Sequence, residues 1–266
     1  MHPLDDPRNK MRRAREHLEE LSRETASYRA TDTYSISREV SADGILAVYR
    51  ITPTAIPGPR IGTIVGDIVH NMRSALDHMV WQLALLKSSR PYRFTAFPVF
   101  KDETEEHSKR ICSVLRDVPE EAADLIKRLQ PYHAGNEPEN SPLWILHALW
   151  NTDKHSTLLP MAHVGWMPAY FGPGGSQKAL DDGTIETTVP LEVDEQMNLN
   201  ERVSANVAFP LDSPGRGMEV VELLEMIYKA LDELIFPALS AFFPEEEAPR
   251  RLRVDLLRQD VPPGGV

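Results

Sequence analysis

Residues 61–86 carry the pattern that most constrains the fold. Val65, Ile68, Val69, Met72, Ala75, Leu76, Met79, Val80 and Leu83 recur at helical spacing and share one broad face. A face that wide must be covered, so this helix runs through the core and the other elements pack around it. Asp67, Asn71, Ser74, His78 and Gln82 form a narrow polar stripe at one border of the face. His70, Arg73 and Asp77 lie further round. Polar groups at that border go inside with the helix and then need hydrogen-bond partners.

Two further helices belong beside it. In residues 5–29, Asp5 or Asp6 serves as cap and Pro7 suits the first turn. Met11, Ala14, Leu18, Leu21, Thr25 and Tyr28 alternate in steps of three and four, a coiled-coil period. That seam either lies along a helical bundle or forms a homodimer contact. Residues 142–155 open with Ser141 as cap and Pro142 at the first position, and they are apolar nearly all round. Shorter helices are expected over 103–115 and 120–130. A last amphipathic helix spans 219–243, kinked at Pro237.

The strands are weaker signals. Residues 33–40 and 45–52 are rich in β-branched and aromatic side chains, and Ser41, Ala42, Asp43 and Gly44 supply a hairpin turn. Residues 94–100 read as an extended edge segment. Residues 161–167, 184–193 and 202–209 read as strands, with a Gly/Pro-rich loop over 168–183. The expected class is α+β, a helical bundle packed against a small, mostly antiparallel sheet. One domain is expected over 1–244, followed by a charged, loose tail over 245–266.

The chain of 266 residues has a formal net charge of −11, which disfavours nucleic acid and anionic membranes as partners. A lone cysteine, Cys112, excludes an internal disulfide and reads as a core thiol. Trp81, Trp144 and Trp150 read as core anchors, and His133 as an exposed loop residue. No apolar run is long enough for a membrane span, and residues 1–15 do not resemble a signal peptide, so a cytoplasmic location is expected. There is no phosphate-binding glycine loop, no zinc-spaced cysteine pair and no nucleophile elbow. Nothing in the sequence asks for a cofactor.

Chemistry-bearing side chains crowd into two places. One is His70-Asn71-Met72-Arg73-Ser74-Ala75-Leu76-Asp77-His78, and the other is Trp150-Asn151-Thr152-Asp153-Lys154-His155. The strings NMRSALDHMVWQLA and LWNTDKH, with FPVF and LQPYH between them, resemble signatures of an uncharacterised family of bacterial proteins, often actinobacterial. The resemblance covers roughly residues 60–160 and implies no activity. A weaker resemblance is to HEPN domains, helical bundles that include metal-independent ribonucleases and carry Arg, four to six residues, then His. Arg73 and His78 match that motif and would be the catalytic pair, His as base and Arg as phosphate holder. The same spacing recurs at Arg12–His17 and Arg128–His133, and Ser74 stands where that family favours Asn. Arg73 and His78 point about 140° apart on a helix, so they would need a groove to meet.

Beside the ribonuclease reading, three others stay open. In the structural one, Arg73 pairs with Asp77 one turn on, while Asn71 and His78 bond to neighbouring backbone. In the binding one, Asn71, Asp77, His78, Asn151, Asp153, Lys154 and His155 converge on a polar pocket for a small ligand or a partner. In the metal one, a site joins His78 to His155. Within each helix, His70 and His78, and likewise His147 and His155, lie about 12 Å apart along the axis, too far to share an ion. The binding reading requires residues 71–78 and 151–155 to face each other.

Overall fold

The computed structural model describes residues 2–31, 33–135, 137–155, 160–166, 175–180, 184–194 and 203–243. Its helices are α1 (Asp5–Arg29), α2 (Pro59–Leu85), α3 (Glu105–Val114), α4 (Glu120–Arg128), α5 (Pro142–His155), α6 (Leu191–Asp194), α7 (Val220–Lys229) and α8 (Phe236–Ser240). Its strands are β1 (Tyr34–Val40), β2 (Leu46–Pro53), β3 (Met161–Trp166), β4 (Ser176–Ala179), β5 (Ile185–Pro190) and β6 (Val203–Ala208). The class is α+β, as the pattern predicts: helices pack beside antiparallel strands. Among the described residues, no helix is long and apolar enough to cross a membrane. The tail over 245–266, with its Glu245-Glu246-Glu247 run, lies outside the described residues, as does most of the 168–183 loop.

The wide apolar face of α2 is the centre of the core. All nine of its predicted residues are at most 1% exposed. Burying one such side chain fully contributes roughly 1.5–3 kcal/mol, so this helix anchors the fold. Helix α1 lies along it and buries Met11, Ala14, Leu18, Leu21 and Thr25. The coiled-coil seam is therefore consumed within the chain, and the surface assigned to a homodimer contact is the intramolecular one. The outer face of α1 carries ion pairs instead, Arg12 with Glu16 and Arg15 with Glu225 of α7. Asp5 and Asp6 sit in the first turn, and Leu4 holds the cap position.

Four strands form a sheet in the order β1-β2-β5-β4, and β3 pairs with β6 in a second, two-stranded one. The predicted hairpin forms, and Gly44 takes φ +71° in its turn. Strand β4 falls in the stretch read as loop. Its four residues are too few to show an alternation. Ala47, Tyr49, Ile51 and Val189 make a small second core under the larger sheet. The last helix does break near Pro237: a π-helical turn over Ala230–Ile235 widens the backbone just before it. Proline cannot donate and its ring crowds the preceding turn, which a widened turn accommodates.

Two expected core residues lie outside. Cys112 is exposed, because α3 turns Ile111 and Val114 inward and the next residue round faces solvent. Trp81 is 37% exposed at the far side of α2, whereas Trp144 and Trp150 pack against the core. The segment over 94–100 is not an edge strand: Phe94 ends a turn and 95–100 join no sheet. Side chains hold its backbone in place of a ladder.

Candidate ligand-binding site

The site is built where α2, α5 and the 94–100 strap meet. Arg73 and Asp77, one turn apart on α2, grip a single residue of the strap. Arg73 Nη2 donates to the Phe97 carbonyl at 2.6 Å, and the Phe97 N–H donates to Asp77 Oδ1 at 2.9 Å. The two side chains also pair with each other at 3.0 Å. Three residues on, Gln130 repeats the arrangement: Nε2 donates to the Pro98 carbonyl at 2.9 Å, and Oε1 accepts from the Phe100 N–H at 3.1 Å. A buried segment without strand neighbours must satisfy its backbone polar groups otherwise, and these three side chains do so at Phe97, Pro98 and Phe100.

Arg73 is 5% exposed, and its cation lies 5.2 Å from the centre of the Trp150 ring. A ring face stabilises the charge by about 0.5–2 kcal/mol but is no substitute for an oxygen acceptor. Arg73 Nε and Nη1 are buried with no hydrogen-bond partner among the described residues. Burial lowers the Arg73 pKa, with Asp77 opposing, and the guanidinium remains charged. Burial also raises the Asp77 carboxyl, with Arg73 opposing.

His147, on α5, supplies a third such atom. The Asn151 amide Nδ2 donates to its Nε2 at 3.0 Å, which leaves the ring proton on Nδ1. That Nδ1 is buried and also lacks a partner among the described residues. Burial, then the Arg73 and Lys154 charges, hold the His147 pKa down at about 4, so the ring is neutral at pH 7. Arg73 and His147 both line a cleft of about 610 Å³. Phe94, Phe97, Val99, Phe100 and Val114 form its apolar walls, and His107, Lys109, Arg110 and Glu106 of α3 its rim.

The sequence-predicted residues divide between places. Asn71 donates to the Asp67 carbonyl of its own helix. Asp153 lies against Gly66, where α2 and α5 cross, and Lys154 Nζ stands 3.0 Å from the Trp150 ring centre. Lys154 is close enough to Arg73 and Asp77 to feel both charges. Thus Asp153 and Lys154 do approach α2, at Gly66 and near Arg73 and Asp77, whereas Asn151 bonds to His147 of its own helix. His78 lines a second cleft of about 380 Å³ with Asp6, Asp77, Trp81, Gln82 and Thr95, and His155 is exposed at the end of α5. Arg73 and His78 therefore open on different clefts, with Asp77 between them. No group of three or more His, Cys, Asp or Glu side chains among the described residues is placed to hold a metal ion. His133 is exposed, as expected.

Sequence reasoning passed over His147, the strap and the α3 rim as parts of one site. The available signal was His147 to Asn151, a polar pair one turn apart on an otherwise apolar helix. Against known protein families, curated proteins and solved structures, the chain matches none.

Proposed function

We propose that this protein binds a small organic ligand in the cleft between the 94–100 strap, α3 and α5. The observation that carries the reading is the set of three buried donor atoms, Arg73 Nε, Arg73 Nη1 and His147 Nδ1, without acceptors. A buried donor left unpaired costs about 1–3 kcal/mol, and three beside one cleft are explained together by a ligand that accepts from them. The cleft's size is that of small-molecule sites, and apolar walls with a few converging polar groups are their usual make-up.

A fragment screen by ligand-observed NMR on the full chain tests it. Fragments that bind should shift the backbone amides of 94–100 and 106–114 in the wild type. Ala96→Trp, which places an indole in the cleft, should abolish their binding while the protein still melts cooperatively. Binding that leaves both amide groups unmoved would overturn the reading, whatever the variant does.

A further inference from the structure

We propose that the ligand of this cleft is a small carboxylic acid with an apolar or aromatic body, its carboxylate against Arg73 and His147. The inference rests on the binding reading and adds the chemical class.

The first argument is donor against acceptor. The unpaired atoms at this end of the cleft are all N–H donors, from the guanidinium and from the Nδ1–H of a neutral imidazole. A carboxylate only accepts, with about four lone-pair sites, so every contact can be satisfied. An alcohol brings a donor of its own, and none of the three unpaired atoms can accept that hydrogen.

Charge supplies the second argument. Among the described residues Arg73 is the single buried Lys or Arg, and Asp77 already answers part of its charge from 3.0 Å. A monoanion at the other edge of the guanidinium is balanced by what remains, by the His147 dipole and by Lys109 and Arg110 at the rim. A phosphate dianion would set a second full negative charge near Asp77 with no further buried Lys or Arg among the described residues to offset it.

The walls give the third. Phe97 and Val99 are buried, Val114 lies beside them, and Phe94 is half-exposed at the mouth. Phe100 stacks on His107 with ring centres 4.2 Å apart, which extends the apolar lining toward the rim. Such walls favour hydrocarbon over a sugar or a nucleotide.

The test is titration calorimetry at pH 7.5 with benzoate, octanoate and 4-phenylbutyrate. 4-Phenylbutan-1-ol and 2-phenylethyl phosphate serve as matched controls. At least one carboxylate should bind with a Kd below about 1 mM. The alcohol and the phosphate ester should bind about tenfold or more weakly than 4-phenylbutyrate, since charge-assisted bonds are the stronger ones. His147→Phe, which keeps the ring and removes the donor, should weaken the carboxylate several-fold, and Ala96→Trp should abolish it. An alcohol or phosphate ester that binds as tightly as the carboxylate, and is lost in Ala96→Trp, would overturn the carboxylate assignment and leave the cleft as a binding site. Failure of all five compounds would also overturn that assignment, while the NMR screen decides the site independently.

Discussion

The nitrogens of the Arg73 guanidinium stand in two different situations. Nη2 fixes the Phe97 carbonyl and meets Asp77, while Nε and Nη1 stay buried without a hydrogen-bond partner among the described residues. The structural reading of this residue is carried by Nη2, and the proposed binding reading rests on the other two atoms. The neighbouring His147 gives a pH-dependent consequence. Its folded-state pKa of about 4 lies below the ordinary 6.5. Above pH 6.5 neither state of the chain binds that proton, so the ring's contribution to stability is fully present. As pH falls from there toward 4, the unfolded chain takes up the proton first and stability is lost. The ring is only part-buried, so solvent screening trims the loss to about 1–2 kcal/mol. Asp77 and Asp153, whose pKa values are raised chiefly by burial, act in the opposite direction in acid. The comparison must therefore be made against His147→Gln. Urea unfolding at pH 7.5 and 4.5 should show the wild type losing about 1–2 kcal/mol more than the variant. Equal losses would mean that the ring protonates freely in the folded state.

Between elements, the closest approach is the crossing of α2 and α5. A Cβ placed on Gly66 would stand 2.6 Å from Asp153 Oδ1, so a larger residue there obliges the Asp153 carboxylate to move. Gly66→Ala should destabilise by about 1–2 kcal/mol, an overpacking cost partly offset by alanine's better helix propensity. In an Asp153→Ala background the obstruction is gone, and the same substitution should be neutral or stabilising by up to about 1 kcal/mol. Thermal or urea denaturation of the four proteins measures this. A Gly66→Ala penalty of the same size in both backgrounds would show that the carboxylate does not limit the crossing. This contact also marks how far the sequence could be read. The periodicity of residues 61–86 was enough to place α2 in the core, and four-residue spacing was enough to pair Arg73 with Asp77. Both signals are local. That Phe97 would lie against that pair, or His147 beside Arg73, depends on packing between segments far apart in the chain. Cys112 and Trp81 failed for a related reason: residue type suggests burial, but the face each occupies is set by what the helix packs against. Asp194 is a further case. Burial alone would raise its carboxyl, but hydrogen bonds from Arg38 and Tyr49 more than offset it and hold it below its ordinary value. The bonds tie the turn after β5 to the β1–β2 hairpin, and no sequence pattern joins those three residues.

For the whole molecule, the resemblance of Arg73 and His78 to a ribonuclease motif meets two obstacles that reinforce each other. The net charge of −11 repels a polyanion at long range, and the cationic groups near the site, Lys109 and Arg110, sit on the rim of the Arg73 cleft and not of the His78 cleft. The cleavage chemistry needs a base and a charge stabiliser on the same phosphodiester. Here the guanidinium is 5% exposed, held by the strap and by Asp77, while His78 opens on the other side of that carboxylate. Because the Arg73 cleft and the His78 cleft are separate, one phosphodiester would not meet both side chains in this arrangement. The purified protein should therefore show no metal-independent cleavage of a fluorescent single-stranded RNA, even at low ionic strength, where electrostatic attraction is strongest. Cleavage by the wild type that disappears in both Arg73→Lys and His78→Ala, with each variant still folded, would show that the two residues do act together on RNA. The separation of the two clefts would then have to close in solution.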